Sequence, residues 1–157
     1  MSAVGYICDT EGAVALAAGV AKTVVGAKAQ AAAGLQMKVF VVSFDGVTAA
    51  DVPVFVEICY ATWATNSPGT ASTSTTPRQK YGRVLAAGFT SGKTWTTEPT
   101  VLTPLFPGFL LAPDKGFIVL QDPLGQDSDC AFSEGFAIRC TAPAAVNVRA
   151  GFVLERV

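Results

Sequence analysis

Residues 134–157, EGFAIRCTAPAAVNVRAGFVLERV, decide the fold class. From Val146 onward, Val146, Val148, Ala150, Phe152 and Leu154 alternate with Asn147, Arg149, Gly151, Val153 and Glu155. That is the two-residue period of a strand with one face on a core. Upstream, Phe136, Ile138 and Cys140 alternate with Ala137, Arg139 and Thr141, and Ala142-Pro143-Ala144-Ala145 separates the two runs. The reading is two antiparallel strands, and hence an all-β chain.

Working outward, residues 35–63, LQMKVFVVSFDGVTAADVPVFVEICYATW, hold two runs rich in Val, Phe and Ile on either side of a connector that opens with the turn signal Asp45-Gly46. This predicts a second strand pair. Strict alternation puts Met37, Val39 and Val41 on one side and Phe40, Val42 and Phe44 on the other, so both faces are apolar. Either another subunit covers the second face or the strand lies between two sheets.

Residues 12–34 are rich in Ala and Gly, but Gly19, Gly26, Gly34 and the pair Val24-Val25 work against a helix. The expectation is an extended N-terminal arm over residues 1–21 leading into a first strand near Lys22–Ala29, with an Ala-rich helix as the alternative. The Ser/Thr-rich stretch 64–78 has almost nothing to bury and reads as a flexible surface loop. Tyr81–Phe89 and Gly116–Gln121 read as strands. Between them Pro99, Pro104, Pro107 and Pro113 exclude a regular helix, and Asp122-Pro123-Leu124-Gly125 reads as a turn. The count is about eight strands at the spacing of a sandwich, so the predicted architecture is one domain, 1–157, an antiparallel two-sheet β-sandwich of jelly-roll type.

Half of the residues are hydrophobic and 15% are charged, which implies an apolar surface that gains from a partner. Eleven basic and twelve acidic residues with no basic run discount nucleic acid as a partner. Asp9 and Glu11 stand where a secretory signal needs basic residues, and the apolar stretch 12–21 is too short to span a membrane, so neither a leader nor a membrane segment is expected. Cys8, Cys59, Cys130 and Cys140 show no C-x-x-C pair and read as buried free thiols, with a Cys130–Cys140 contact as the alternative. The chain has no histidine, which removes the usual imidazole bases, His-dependent nucleophiles and His-rich metal sites. The expectation is a non-enzyme with no catalytic residues, cofactor or metal.

Three stretches still call for weighing. Ala87–Thr94, AGFTSGKT, follows a relaxed phosphate-loop pattern, but TWTTEPTVLTP from Thr94 onward cannot supply the helix whose N-terminus such a loop needs, so a turn between strands is the competing reading. Asp127, Asp129 and Glu134 lack the spacing of a calcium loop and read as a solvated acidic loop. Trp63, Trp95, Phe106 and Phe109 lie in or beside expected loops, where aromatics either anchor a partner or pack as a satellite core. With Tyr6, Ile7, Val14 and Leu16 of the arm, these are the partner-interface candidates.

The segments GVAKTVVGAKA (19–29), VSFDGV (42–47), EPT (98–100), DPLG (122–125) and CTAPAAVNVRAGFVLER (140–156) resemble small structural proteins of tailed bacteriophages, the head decoration or cement proteins with a jelly-roll sandwich. The resemblance implies a non-enzymatic virion protein on the outer surface of the capsid, bound to the major capsid protein and to itself as a homotrimer at threefold positions, with its arm extended across neighbouring capsid subunits. A tail or fibre module that binds a receptor or carbohydrate, and a nucleotide-binding protein built on Ala87–Thr94, are the alternatives.

Overall fold

The computed structural model describes residues 3–30, 33–45, 51–121, 123 and 125–157. These form fourteen strands: β1 (Val4–Asp9), β2 (Val14–Leu16), β3 (Ala21–Ala29), β4 (Leu35–Phe44), β5 (Val54–Ala61), β6 (Thr73–Thr75), β7 (Arg78–Tyr81), β8 (Phe89–Lys93), β9 (Leu102–Pro104), β10 (Phe109–Leu111), β11 (Ile118–Gln121), β12 (Asp129–Cys130), β13 (Gly135–Thr141) and β14 (Val146–Arg156). A single 3-10 turn, Pro113–Lys115, is the only helical element among the described residues.

The first sheet runs β11-β4-β14-β1-β7, with β12 also on β4 and β2 on β14; the second runs β10-β5-β13-β3-β8-β6, with β9 also on β5. All strand pairings are antiparallel. Set aside β2, β12 and the β6–β8 insertion, and count β9 and β10 as one interrupted strand. Eight principal strands remain. In chain order β1, β3, β4, β5, β9/β10, β11, β13 and β14 then give 1-8-3-6 in one sheet and 2-7-4-5 in the other, which is the jelly-roll order.

The deciding stretch forms both of its strands, β13 and β14, but they do not pair with each other. Each is central in its own sheet, and Phe136 and Phe152 meet between the sheets with ring centroids 6.5 Å apart. The four-residue connector with Pro143 crosses the roughly 10 Å between layers, where a hairpin would need a tight turn. The pair expected over 35–63 divides in the same way, β4 into the first sheet and β5 into the second. Residues 46–50, which follow Asp45 in the expected turn, and residues 122 and 124 of the second expected turn lie outside the described residues.

A bulge corrects the faces of β4. Opposite Val153 and Leu154 the partner changes from Val39 to Met37, so Lys38 is the extra residue. One extra residue reverses the side on which everything beyond it points. Met37 therefore joins Leu35, Phe40 and Val42 in the core, while Val39 and Val41 stay outside and half-buried.

The N-terminal segment is extended, but it is not an arm that leaves the domain. β1 lies between β14 and β7, and Val4, Tyr6, Cys8, Val14 and Leu16 are all buried in the inter-sheet core. Lys22–Ala29 is a strand, though the third. The strand expected over Tyr81–Phe89 is absent. Gly82 turns the chain with φ +94°, and the segment to Gly88 is irregular, its Leu85 and Ala86 carbonyls accepting the Tyr6 hydroxyl at 2.8 and 3.1 Å.

The loop 64–78 is also corrected. It contains β6, paired with β8, and a buried hydroxyl contact between Thr75 and Ser91 at 2.6 Å. Thr96 N–H donates to the Ala71 carbonyl at 2.8 Å, and Trp95 Nε1 donates to the Asn66 carbonyl at 2.7 Å. Few apolar side chains are needed because hydroxyls and main chain hold this loop. Replacing Ser67–Thr76 with a Gly-Ser linker strands Ser91 and removes β6, at about 3 kcal/mol. A thermal melt should fall by about 6–12 °C.

Candidate functional site

A two-layer sandwich has two outer faces, and this chain treats them differently. Over the second sheet, Trp63 and Trp95 stack with centroids 5.8 Å apart and ring planes 12° from parallel. They form a buried satellite cluster with Ala61 and Ala137, against which Ala71 and Leu102 pack. Trp63 Nε1 donates to the Ala27 carbonyl at 3.0 Å, and Gly26 lets both indoles approach, since a Cβ there would come within 2.6 Å of Trp63. Trp63, Asn66 and Thr94 hold left-handed backbone with φ near 50°, a local cost of about 1–3 kcal/mol each that the surrounding contacts offset. Further along this face Arg139 grips Glu57 through two hydrogen bonds of 2.8 and 3.1 Å.

Among the described residues the outer face of the first sheet has no such cover. Register places Val39 of β4, Val153 of β14, Ile7 of β1 and Arg78 of β7 in one row, with Val119 of β11, Val41, Gly151 and Asp9 in the next. Side chains at alternate positions of these strands point into the core, so these point out. The result is an apolar patch of Ile7, Val39, Val41, Val119 and Val153 across four strands, with a groove of roughly 480 Å³ over Ile7, Val41 and Val153.

Polar groups rim the patch. Arg78 pairs with Asp9, and Arg149 is exposed at the far end of the groove. At the opposite end Lys38 bridges Asp127 and Glu155, the latter at 3.4 Å, and Tyr81 donates its hydroxyl to Glu155 at 2.6 Å. Burial works against the Lys38 charge, but the two carboxylates outweigh it and hold its pKa above the usual value. Burial, then the bond to Glu155, pushes the Tyr81 phenol up. An apolar centre with a polar rim is the anatomy of a protein–protein interface.

Of the residues expected at an interface, Ile7 alone lies on this patch. Tyr6, Val14 and Leu16 are core residues, because their strands alternate toward the second sheet. Trp63 and Trp95 are the satellite core. Phe106 and Phe109 are partly buried, with ring centroids 6.1 and 6.2 Å from Phe40. Val39, Val41 and Val153 were not among the candidates, although Val153 sits on the polar side of the β14 alternation and marks that side as more apolar than its neighbours suggest.

The other stretches resolve plainly. Within Ala87–Thr94, Phe89–Lys93 is strand β8, bonded to β3 on one side and β6 on the other, so its main chain is engaged in the sheet. Lys93 Nζ donates to the Thr10 carbonyl at 2.8 Å. Asp127 faces Lys38, Glu134 accepts the Ala131 N–H at 3.0 Å, and no metal-binding cluster occurs among the described residues. All four cysteines are buried and free; burial pushes Cys8 and Cys140 up to about 12 and Cys59 and Cys130 up to about 11. Thiols held neutral in this way make poor nucleophiles. No protein-family model, curated protein or solved structure matches the chain.

Proposed function

We propose that this chain is a non-enzymatic structural protein of a tailed-phage virion, a decoration protein that sits on the outside of the head and covers the outer face of its own first sheet by forming a homotrimer. The observation that carries the assembly half is the contrast between the two outer faces. The insertion 62–101 packs two tryptophans over the second sheet, while Ile7, Val39 and Val41, half-buried around the buried Val153, and the exposed Val119 of the first are left to a partner. Covering such a patch gains about 25 cal/mol per Å² of apolar area before association costs.

The virion half rests on the resemblance of residues 19–29, 42–47, 98–100, 122–125 and 140–156 to head decoration proteins. With β1 built into the sheet, contact with the major capsid protein falls to the loops, where Val84 and Phe132 stand 91% and 63% exposed. Electron microscopy of phage particles labelled with an antibody against the purified protein tests this half. Label over the head is the expected result, and label on the tail, or none on particles, would overturn it.

A further inference from the structure

The connection 82–88 is tied to the body of the sandwich through its carbonyls alone. Gln79 Nε2 donates to the Gly82 and Arg83 carbonyls at 3.1 and 2.8 Å, and the Tyr6 hydroxyl to those of Leu85 and Ala86 at 2.8 and 3.1 Å. Gln30 N–H donates to the Gly88 carbonyl at 2.9 Å, and Arg156 Nη1 reaches the Ala86 carbonyl at 3.3 Å. The acceptors are therefore held inward, while none of the N–H groups of 83–88 finds an acceptor among the described residues. That sets this connection apart. The connections 62–72, 94–101 and 112–117 each satisfy N–H groups within the chain, those of Thr70, Thr96 and Lys115 among them.

Two cations stand beside these spare donors. Arg83 and Arg156 are in no ion pair among the described residues. A Cβ on Gly88 would come within 3.0 Å of Arg156 Nε, so that guanidinium lies against the end of the connection. Gly82 and Gly88, with φ +94° and +73°, bend the chain at its two ends. Successive unpaired N–H groups in a bend favour negative charge, and a guanidinium adds a fork of donors that matches an oxyanion. Val84, exposed next to Arg83, places an apolar side chain beside them.

We propose that 83–88, with Arg83 and Arg156, is an oxyanion site that receives the carboxylate of an acidic side chain on a partner protein. The site stands on its donors; that the partner is the major capsid protein rests on the virion reading. Charge favours a protein carboxylate over the phosphates of a nucleic acid. The chain has a net charge of -1 and no basic run, so a polyanion gains little from it, whereas one carboxylate needs only the local donors. Val84 agrees with this, because an acidic side chain on a protein surface has apolar neighbours to meet it and a phosphate backbone does not. With the carbonyls already fixed, binding orders little of the chain, which lowers its entropic cost.

Amide NMR of the full chain reads these N–H groups directly. A short blocked peptide with one glutamate between leucines should shift the signals of 83–88 saturably, and its glutamine counterpart should not. Arg83→Gln should weaken the affinity about tenfold and leave the melting temperature unchanged, since Arg83 is exposed and unpaired. Arg149→Gln, an exposed arginine elsewhere, should alter neither, and inorganic phosphate should bind more weakly than the peptide. No saturable shift at 83–88, an affinity that Arg83→Gln leaves as it was, or phosphate binding tighter than the peptide overturns the proposal. Sedimentation with phage heads then tests the partner: wild type should be retained and Arg83→Glu lost, and retention that survives Arg83→Glu overturns the assignment to the capsid protein. A wild type that answers the peptide but never sediments with heads keeps the site and rejects the virion reading instead.

Discussion

Removing residues 2–18 abolishes cooperative folding. The deletion takes away β1 and β2, exposes an edge of β14 and strips Val4, Tyr6, Cys8, Val14 and Leu16 from the core. Burial of a large apolar side chain contributes about 1.5–3 kcal/mol, so this set rivals the entire stability of a domain, about 5–15 kcal/mol. The Tyr6 hydroxyl also holds the irregular segment at Leu85 and Ala86. Circular dichroism in a guanidinium titration should show no transition for the truncated chain. A sharp transition near that of wild type would mean that residues 2–18 are a dispensable arm after all.

Gly135→Ala lowers the melting temperature by about 6–12 °C, whereas Gly12→Ala leaves it unchanged. A Cβ on Gly135 would stand 1.9 Å from the Ala27 carbonyl oxygen and 2.9 Å from Trp63 Nε1, while one on Gly12 meets nothing within 4 Å. The obstacle at Gly135 is main chain of the neighbouring strand β3, which cannot swing aside as a side chain can. Overpacking of this kind costs about 3 kcal/mol, and for a chain of this size each kcal/mol is worth about 2–4 °C. The same substitution should loosen the indole that closes the outer face of the second sheet. A Gly135→Ala melt equal to that of Gly12→Ala would contradict the close approach of β3, β13 and Trp63.

The sequence carried the strands far better than their partners. Alternation in 134–157 marks β13 and β14, because each has one face on the core, but alternation says nothing about which strand lies beside which. The four-residue connector with Pro143 was the available hint that the chain changes sheets there. The N-terminal strand was hidden by small residues. Ala3, Gly5 and Asp9 stand beside Val4, Tyr6 and Cys8 with only Ile7 large and apolar between them, and the burial of this strand depends on β14 and β7, which are far away in sequence. Likewise the loop 64–78 reads as free when judged by its apolar content, since its anchors are hydroxyls and carbonyls whose partners, Ser91, Thr96 and Trp95, come later in the chain.

The apolar patch on the first sheet was half legible. Two apolar faces on 35–44 announced a second surface to cover, but the bulge at Lys38 exchanged Met37 from that surface to the core, and no period count locates a bulge. The loop tryptophans, which looked like anchors for a partner, cover the molecule itself. A large aromatic in a polar loop fits either role, and only the glycine-lined floor at Gly26 and Gly135 separates them.

Light scattering of the purified chain at micromolar concentration, wild type beside Val41→Glu, tests most directly the claim that the outer face of the first sheet joins subunits. Val41 lies in the groove, with its side chain turned away from the core, so a carboxylate there should spare the fold and oppose burial of the patch. The account predicts a wild-type base mass of three 16.2 kDa chains and a Val41→Glu mass of one, with the β-sheet circular dichroism unchanged. A monomeric wild type, or a Val41→Glu protein that remains a trimer, would contradict it.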